Sequence, residues 1–177
     1  VMLMIVASTV GVAIYSLYIT SFEQQKSLLI EKATSQARII EAVARFDVQY
    51  SHEDHPEGAF AATVSQIVDA HEHYESYSKT SEFVLAQSVE DSIVFLLRHK
   101  HDASGIPPPI SFDSELAQPM KMALSGESGV MIGIDFEGAT VLAAYEPVAV
   151  LNLGIVAKVE LSEIRAPFIK TGLMVGA

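Results

Sequence analysis

A chain of 177 residues, half of them apolar, has the size of one ordinary domain. With no cysteine it cannot carry a disulfide framework, a cysteine-based zinc site or a thiol nucleophile. A net charge of −11 speaks against nucleic acid as a partner, because phosphate recognition needs a basic footprint.

The first 22 residues, VMLMIVASTVGVAIYSLYITSF, carry no charge. About 20 residues at ~1.5 Å each reach across the roughly 30 Å of bilayer hydrocarbon, so 1–22 reads as a transmembrane helix. Tyr15 and Tyr18 suit its interfacial aromatic belt. A signal peptide fits less well: the run is long, lacks a basic start and shows no small-x-small cleavage site. The opposite end, 166–177, is apolar apart from Lys170 and reads as the start of a second span. Residues 23–165 hold all 22 acidic residues and 10 of the 11 basic ones, a net charge of −12, and this poverty in Lys and Arg is expected of a segment facing outside the cell.

Beyond Phe22 the helix is expected to continue. Leu29, Ala33, Gln36, Ile40 and Val43 or Ala44 form an apolar stripe ending at Phe46, and no Gly or Pro interrupts 12–55. At ~1.5 Å per residue this makes a rod of about 60 Å or more, able to serve as scaffold and dimer seam. A polar loop (47–58) ends at Pro56 and Gly58. A second helix over 59–77 places Phe60, Val64, Ile67, His71 and Tyr74 on one face, with Val68 beside them.

Two short strands follow, 82–88 and 91–99, joined at Val89-Glu90 as a hairpin. The stretch 99–112, with Pro107 to Pro109, must be irregular. Asp113 or Ser114 is placed to cap a helix running to Leu124. Three further strands, 129–136, 139–147 and 152–161, are rich in β-branched and aromatic residues. Glu137-Gly138 makes their first turn, and the second spans Ala149 to Asn152. This order predicts an α+β fold: a five-stranded antiparallel sheet with the long helix on one face and short helices and loop on the other. Only Ser162-Glu163 separates the last strand from the closing helix.

Candidate chemistry centres on cations in apolar strands. Arg98 and His99 end the run IVFLL, where a cation could hold a carboxylate or another anion, or could simply meet solvent. Lys158 shares a face with Gly154, Val156 and Glu160, opposite Leu153, Ile155, Ala157, Val159 and Leu161. It points toward a ligand or solvent, with Glu160 or Glu146 as ordinary salt-bridge partners. Asp135 and Tyr145 on neighbouring strands are candidate polar partners in a pocket. The groups His52, Glu53, Asp54, His55 and Asp69, His71, Glu72, His73, Glu75 contain metal-type pairs but no HExxH, and read better as solvated surface. Gly126 to Gly129 falls short of a nucleophile elbow. No catalytic residue, cofactor or metal is assigned.

The strings EFVLAQ, IVFLLRHKH, SELAQPMKMALSGESG, GIDFEG, VLAAYEPV and LNLGIVAKVELSEIRAPF, taken in order, resemble the Cache group of extracytoplasmic PAS-like sensor domains of bacteria. The chain departs from that group at Phe136-Glu137-Gly138, where a basic residue is usual, and at Ser81, where Gly is common. The resemblance implies a sensor domain over 23–165 facing the periplasm or cell exterior, dimeric through its first helix. It also implies a bacterial inner-membrane protein of the histidine-kinase, nucleotide-cyclase or chemoreceptor type. A small-molecule ligand, an anionic metabolite such as a carboxylate, would meet Arg98, His99, Asp135, Tyr145 and Lys158. The alternative is a membrane-anchored structural or protein-interaction domain whose second sheet face is filled.

Overall fold

The computed structural model describes residues 2–50, 58–72, 79–99 and 105–176. Helix α1 runs unbroken from Met2 to Tyr50, and α2 from Gly58 to Glu72. Strands β1 (Glu82–Val89) and β2 (Ser92–His99) form a hairpin, followed by the short β3 (Ile110–Ser111) and helix α3 (Gln118–Leu124). The meander β4 (Gly129–Ile134), β5 (Thr140–Val148) and β6 (Leu153–Glu160) leads into α4 (Leu161–Gly176).

The fold is α+β, with one antiparallel sheet in the order β3-β2-β1-β6-β5-β4. Six strands replace the five expected, because the Pro-rich stretch ends in two residues that pair with Ser92 and Ile93. The hairpin turns fall as read: Gly138 (φ 87°) turns β4 into β5, and Asn152 (φ 52°) closes the second turn. β6 lies at the centre, between β1 and β5.

Period two assigns the two faces. Leu153, Ile155, Ala157 and Val159 of β6 join Phe83, Leu85, Leu142 and Ala144 in a core against Leu29, Ala33, Ala37 and Ile40 of α1. On the reverse face Val84, Ala86, Phe95, Val141, Ala143 and Val156 pack on Met120 and Ala123 of α3. At Gly154 an added Cβ would meet the Met120 sulfur at 2.9 Å, so glycine is what lets α3 lie this close.

Three expected packing faces differ. The buried stripe of α1 runs Leu29, Ala33, Ala37, Ile40, Ala44, Asp47, while Gln36 is only partly buried and Phe46 is 60% exposed. On α2 Ile67 is buried as expected, but Ala62 and Thr63 take the places of Phe60 and Val64, and the Thr63 hydroxyl donates to the buried Asp47 carboxylate at 2.6 Å. Before α3, 113–116 form turns in which Ser111 and Ser114 hydroxyls accept backbone N–H groups; Ala117 takes a left-handed φ of 55°, and Pro119 sits in the first turn. The metal-type groups at 52–55 and 71–75 fall outside the described residues or their described side chains.

α4 returns antiparallel along α1. The Tyr18 and Phe168 rings meet edge-on at 5.4 Å, and Ser21 and Gln25 face Ile164 and Pro167. Among the described residues no helix is long and apolar enough to cross a membrane. Side chains at 3, 4, 6, 7 and 173–176 lie outside the description, so the two expected spans rest on the sequence alone.

The altered stripe is checkable. Ile40→Ala should cost about 2–5 kcal/mol in chemical unfolding, as large-to-small core changes do. Phe46→Ala should stay within roughly 1 kcal/mol.

Candidate functional site

On the sheet's α3 face a set of ionisable side chains converges where β1 begins beside β6. Lys158 pairs in register with Glu82, and Arg98 with Val84, which places both cations beside the first residue of β1. Arg98 reaches this face through a β-bulge. The pairing jumps from Leu85↔Leu97 to Ala86↔Phe95, so the extra residue, Leu96, brings Arg98 onto the side of Phe95.

Glu82 bridges the two cations: one carboxylate oxygen accepts from Arg98 Nε, and the other meets Lys158 Nζ. Lys158 also donates to Asp135 Oδ2. Asp135 spends its second oxygen on the turn, where Oδ1 accepts the N–H groups of Glu137 and Ala139, each at 2.9 Å. The Glu137 carboxylate lies 2.8 Å from Arg98 Nη2 and forms the outer ion pair of the set. The Phe136 ring lies beside both cations, its centroid 4.9 Å from the Arg98 guanidinium carbon and 4.3 Å from Lys158 Nζ, and meets Phe95 at 5.1 Å.

The set is dry. The side chains of Arg98, Lys158, Glu82 and Asp135 are 5% exposed or less, whereas that of Glu137 is 42% exposed. Burial pulls the Arg98 guanidinium down, but the hydrogen bond and charge of Glu82, and then Glu137, outweigh it and hold Arg98 above its ordinary value. The stabilisation is therefore fully present below the unfolded value and is lost only as pH rises through the higher folded one. Arg98 stays charged at neutral pH. Oxygens of Glu82, Asp135 and Glu137 lie within 4.8 Å of one another, close enough to share a cation; Arg98 and Lys158 already supply the balancing charge there.

Of the expected residues, the structure brings together Arg98, Asp135 and Lys158. Tyr145 shares their face but pairs with Val156, two residues along β6 from Lys158, and its hydroxyl sits over Gly129. His99 pairs with Phe83 at the end of β2, and its side chain is outside the described residues. Lys158 meets Glu82 and Asp135 rather than Glu160 or Glu146; the latter accepts a hydrogen bond from Thr34 at 2.8 Å. Sequence reasoning missed Glu82, Phe136 and Glu137. An acid opening an apolar strand, directly after Ser81, was the available signal for Glu82.

Beside the ring lies a cavity of only about 10 Å³, bordered by Val84, Met120, Asp135, Phe136, Val156 and Lys158. That is space for one water at most.

A second polar stitch lies where β6 becomes α4. Glu163, in the first turn of α4, accepts the Thr80 N–H at 2.8 Å, the Lys79 N–H at 3.3 Å and the Thr80 hydroxyl. The same Thr80 oxygen accepts the Glu160 N–H at 3.1 Å. The start of β1 and the end of β6 are thus tied to α4 two residues from Glu82 and Lys158.

No family model, curated protein or solved structure matches this chain.

Coupling within the site can be measured. Lys158→Met should cost about 3–5 kcal/mol, because it leaves buried carboxylates uncompensated. Adding Asp135→Asn, which keeps the oxygen holding the turn, should recover a large part of that loss in a double-mutant cycle by urea unfolding.

Proposed function

We propose that the chain is the membrane-tethered sensing region of a bacterial signal transducer. In this reading residues 23–165 form an extracytoplasmic, PAS-like Cache domain that responds to a small carboxylate or related anion and relays a shift through α4. One observation carries it. The central strand β6 bears the buried cation Lys158 and passes into α4 with no intervening residue, and α4 lies against α1. Movement at the cations therefore has a short, stiff route to the paired helices.

The uncharged start of α1 supports the tether. Met2, Ile5, Val12, Tyr15 and Leu17 stand exposed on it, and Ile169 on α4, an apolar surface that needs lipid or another protein to cover it. The antiparallel helices bring both of these apolar ends to the same side of the domain.

A second reading is favoured by the filled site. With a cavity of about 10 Å³, the domain could act as a structural or protein-binding element with no small ligand. A thermal-shift screen of the detergent-solubilised chain against short-chain and aromatic carboxylates separates the two. The sensing reading expects at least one to raise Tm by several degrees, with Arg98→Ala keeping its fold and losing the response. Stabilisation that survives Arg98→Ala would remove the anion site, and no stabilisation by any carboxylate would favour the second reading. For the tether, the chain expressed in bacteria should remain with alkali-washed membranes; recovery in the soluble fraction would overturn it.

A further inference from the structure

The cleft between α1 and α4 holds a cation that the ionic set does not use. Where the Tyr18 and Phe168 rings meet, the two helices leave an open cavity of about 470 Å³ between them. Gly11, Tyr15 and Tyr18 line it from α1, and Arg165, Phe168 and Ile169 from α4. Tyr15 is 65% and Ile169 60% exposed, so the walls present apolar surface to the outside. A Cβ added at Gly11 would meet no atom within 4 Å, so this glycine leaves room in the cleft rather than drawing the helices together.

Arg165 gives the cleft its chemistry. The residue is exposed, and among the described residues no carboxylate pairs with it, although acids outnumber bases two to one in the chain. It stands about one helical turn before Phe168, beside tyrosines of the kind that settle where hydrocarbon meets water. A guanidinium at that level forks onto phosphate oxygens. An apolar groove next to it is suited to an alkyl chain. A protein seated on the same surface would have to supply an acid for Arg165 or bury it unpaired, which is costly. A lipid carries the phosphate and the chain in one molecule.

We propose that the α1–α4 cleft is a site for one anionic phospholipid, its phosphate held by Arg165 and its acyl chain lying along Gly11, Tyr15 and Ile169. The site rests on the tether reading and adds to it the class of lipid. A lipid seated there touches both helices, including the one that leaves β6.

The test uses the full chain in phosphatidylcholine vesicles. The chain has no tryptophan, so Tyr15→Trp supplies a single reporter on the cleft wall. Its quenching is measured with bromine-labelled phosphatidylglycerol or phosphatidylcholine at equal mole fraction. Phosphatidylglycerol should occupy the cleft about fivefold more readily, the size of one basic residue's attraction to anionic lipid. Arg165→Gln should remove that preference. Lys170→Gln, a change on α4 outside the cleft lining, should leave it intact. Gly11→Leu fills the cleft where there is space for a side chain, and should also remove the preference.

A preference that survives Arg165→Gln or Gly11→Leu, that falls equally with Lys170→Gln, or that is absent from the reporter itself overturns the lipid site. The tether still stands if the chain floats with the vesicles. Flotation without quenching by either lipid means that protein covers the cleft, and overturns the lipid site in the same way. A chain left behind on flotation overturns the tether and the lipid site together.

Discussion

The fold is arranged around the cost of keeping Arg98 and Lys158 charged away from water. Removing a lysine or arginine from solvent without partners costs several kcal/mol, and apolar packing cannot compensate it. Each cation therefore holds carboxylates brought from separate parts of the chain: Glu82 from the start of β1, Asp135 from the end of β4 and Glu137 from the turn. Those attachments fix how β1, β2, β6 and the β4–β5 turn sit relative to one another. The hydrophobic faces supply the bulk of the stability; the ionic set supplies the register. Sliding β1 past β6 by one residue would part Glu82 from Lys158 and turn the side chains of β1 to the wrong face.

The two faces of the sheet have different tasks. The α1 face is apolar apart from the Thr34–Glu146 hydrogen bond and anchors the sheet to a helix of 49 residues, about 73 Å at 1.5 Å each. The α3 face mixes an apolar half, where Gly154 lets Met120 and Ala123 approach, with the ionic half beside Phe136. A thin helical layer of seven residues covers it. The second face is thus the more thinly covered of the two.

Much of this was legible in the order of residues. Strand ends fall within about two residues of expectation because turn residues and β-branched runs mark them. Lys158 was placed on the correct face because its strand has strict period two and no bulge. Arg98 shows the limit: its residue type flagged it, but the bulge that reaims it has no local sequence signature. Phe136 and Glu137 were legible only as a turn, since the spacing that brings them to Arg98 is between strands. On the helices, counting apolar residues alone misplaced the buried faces at Asp47 and Thr63, where two polar groups satisfy each other inside. Phe46 and Phe60, conspicuous by type, lie outside that interface, 60% and 37% exposed.

The stitch at Glu163 has a geometric consequence. α4 grows covalently out of β6, yet its first turn grips the backbone just ahead of β1. If both strands travelled together, the helix would ride along unchanged in attitude. Shear between them would instead lever its base sideways.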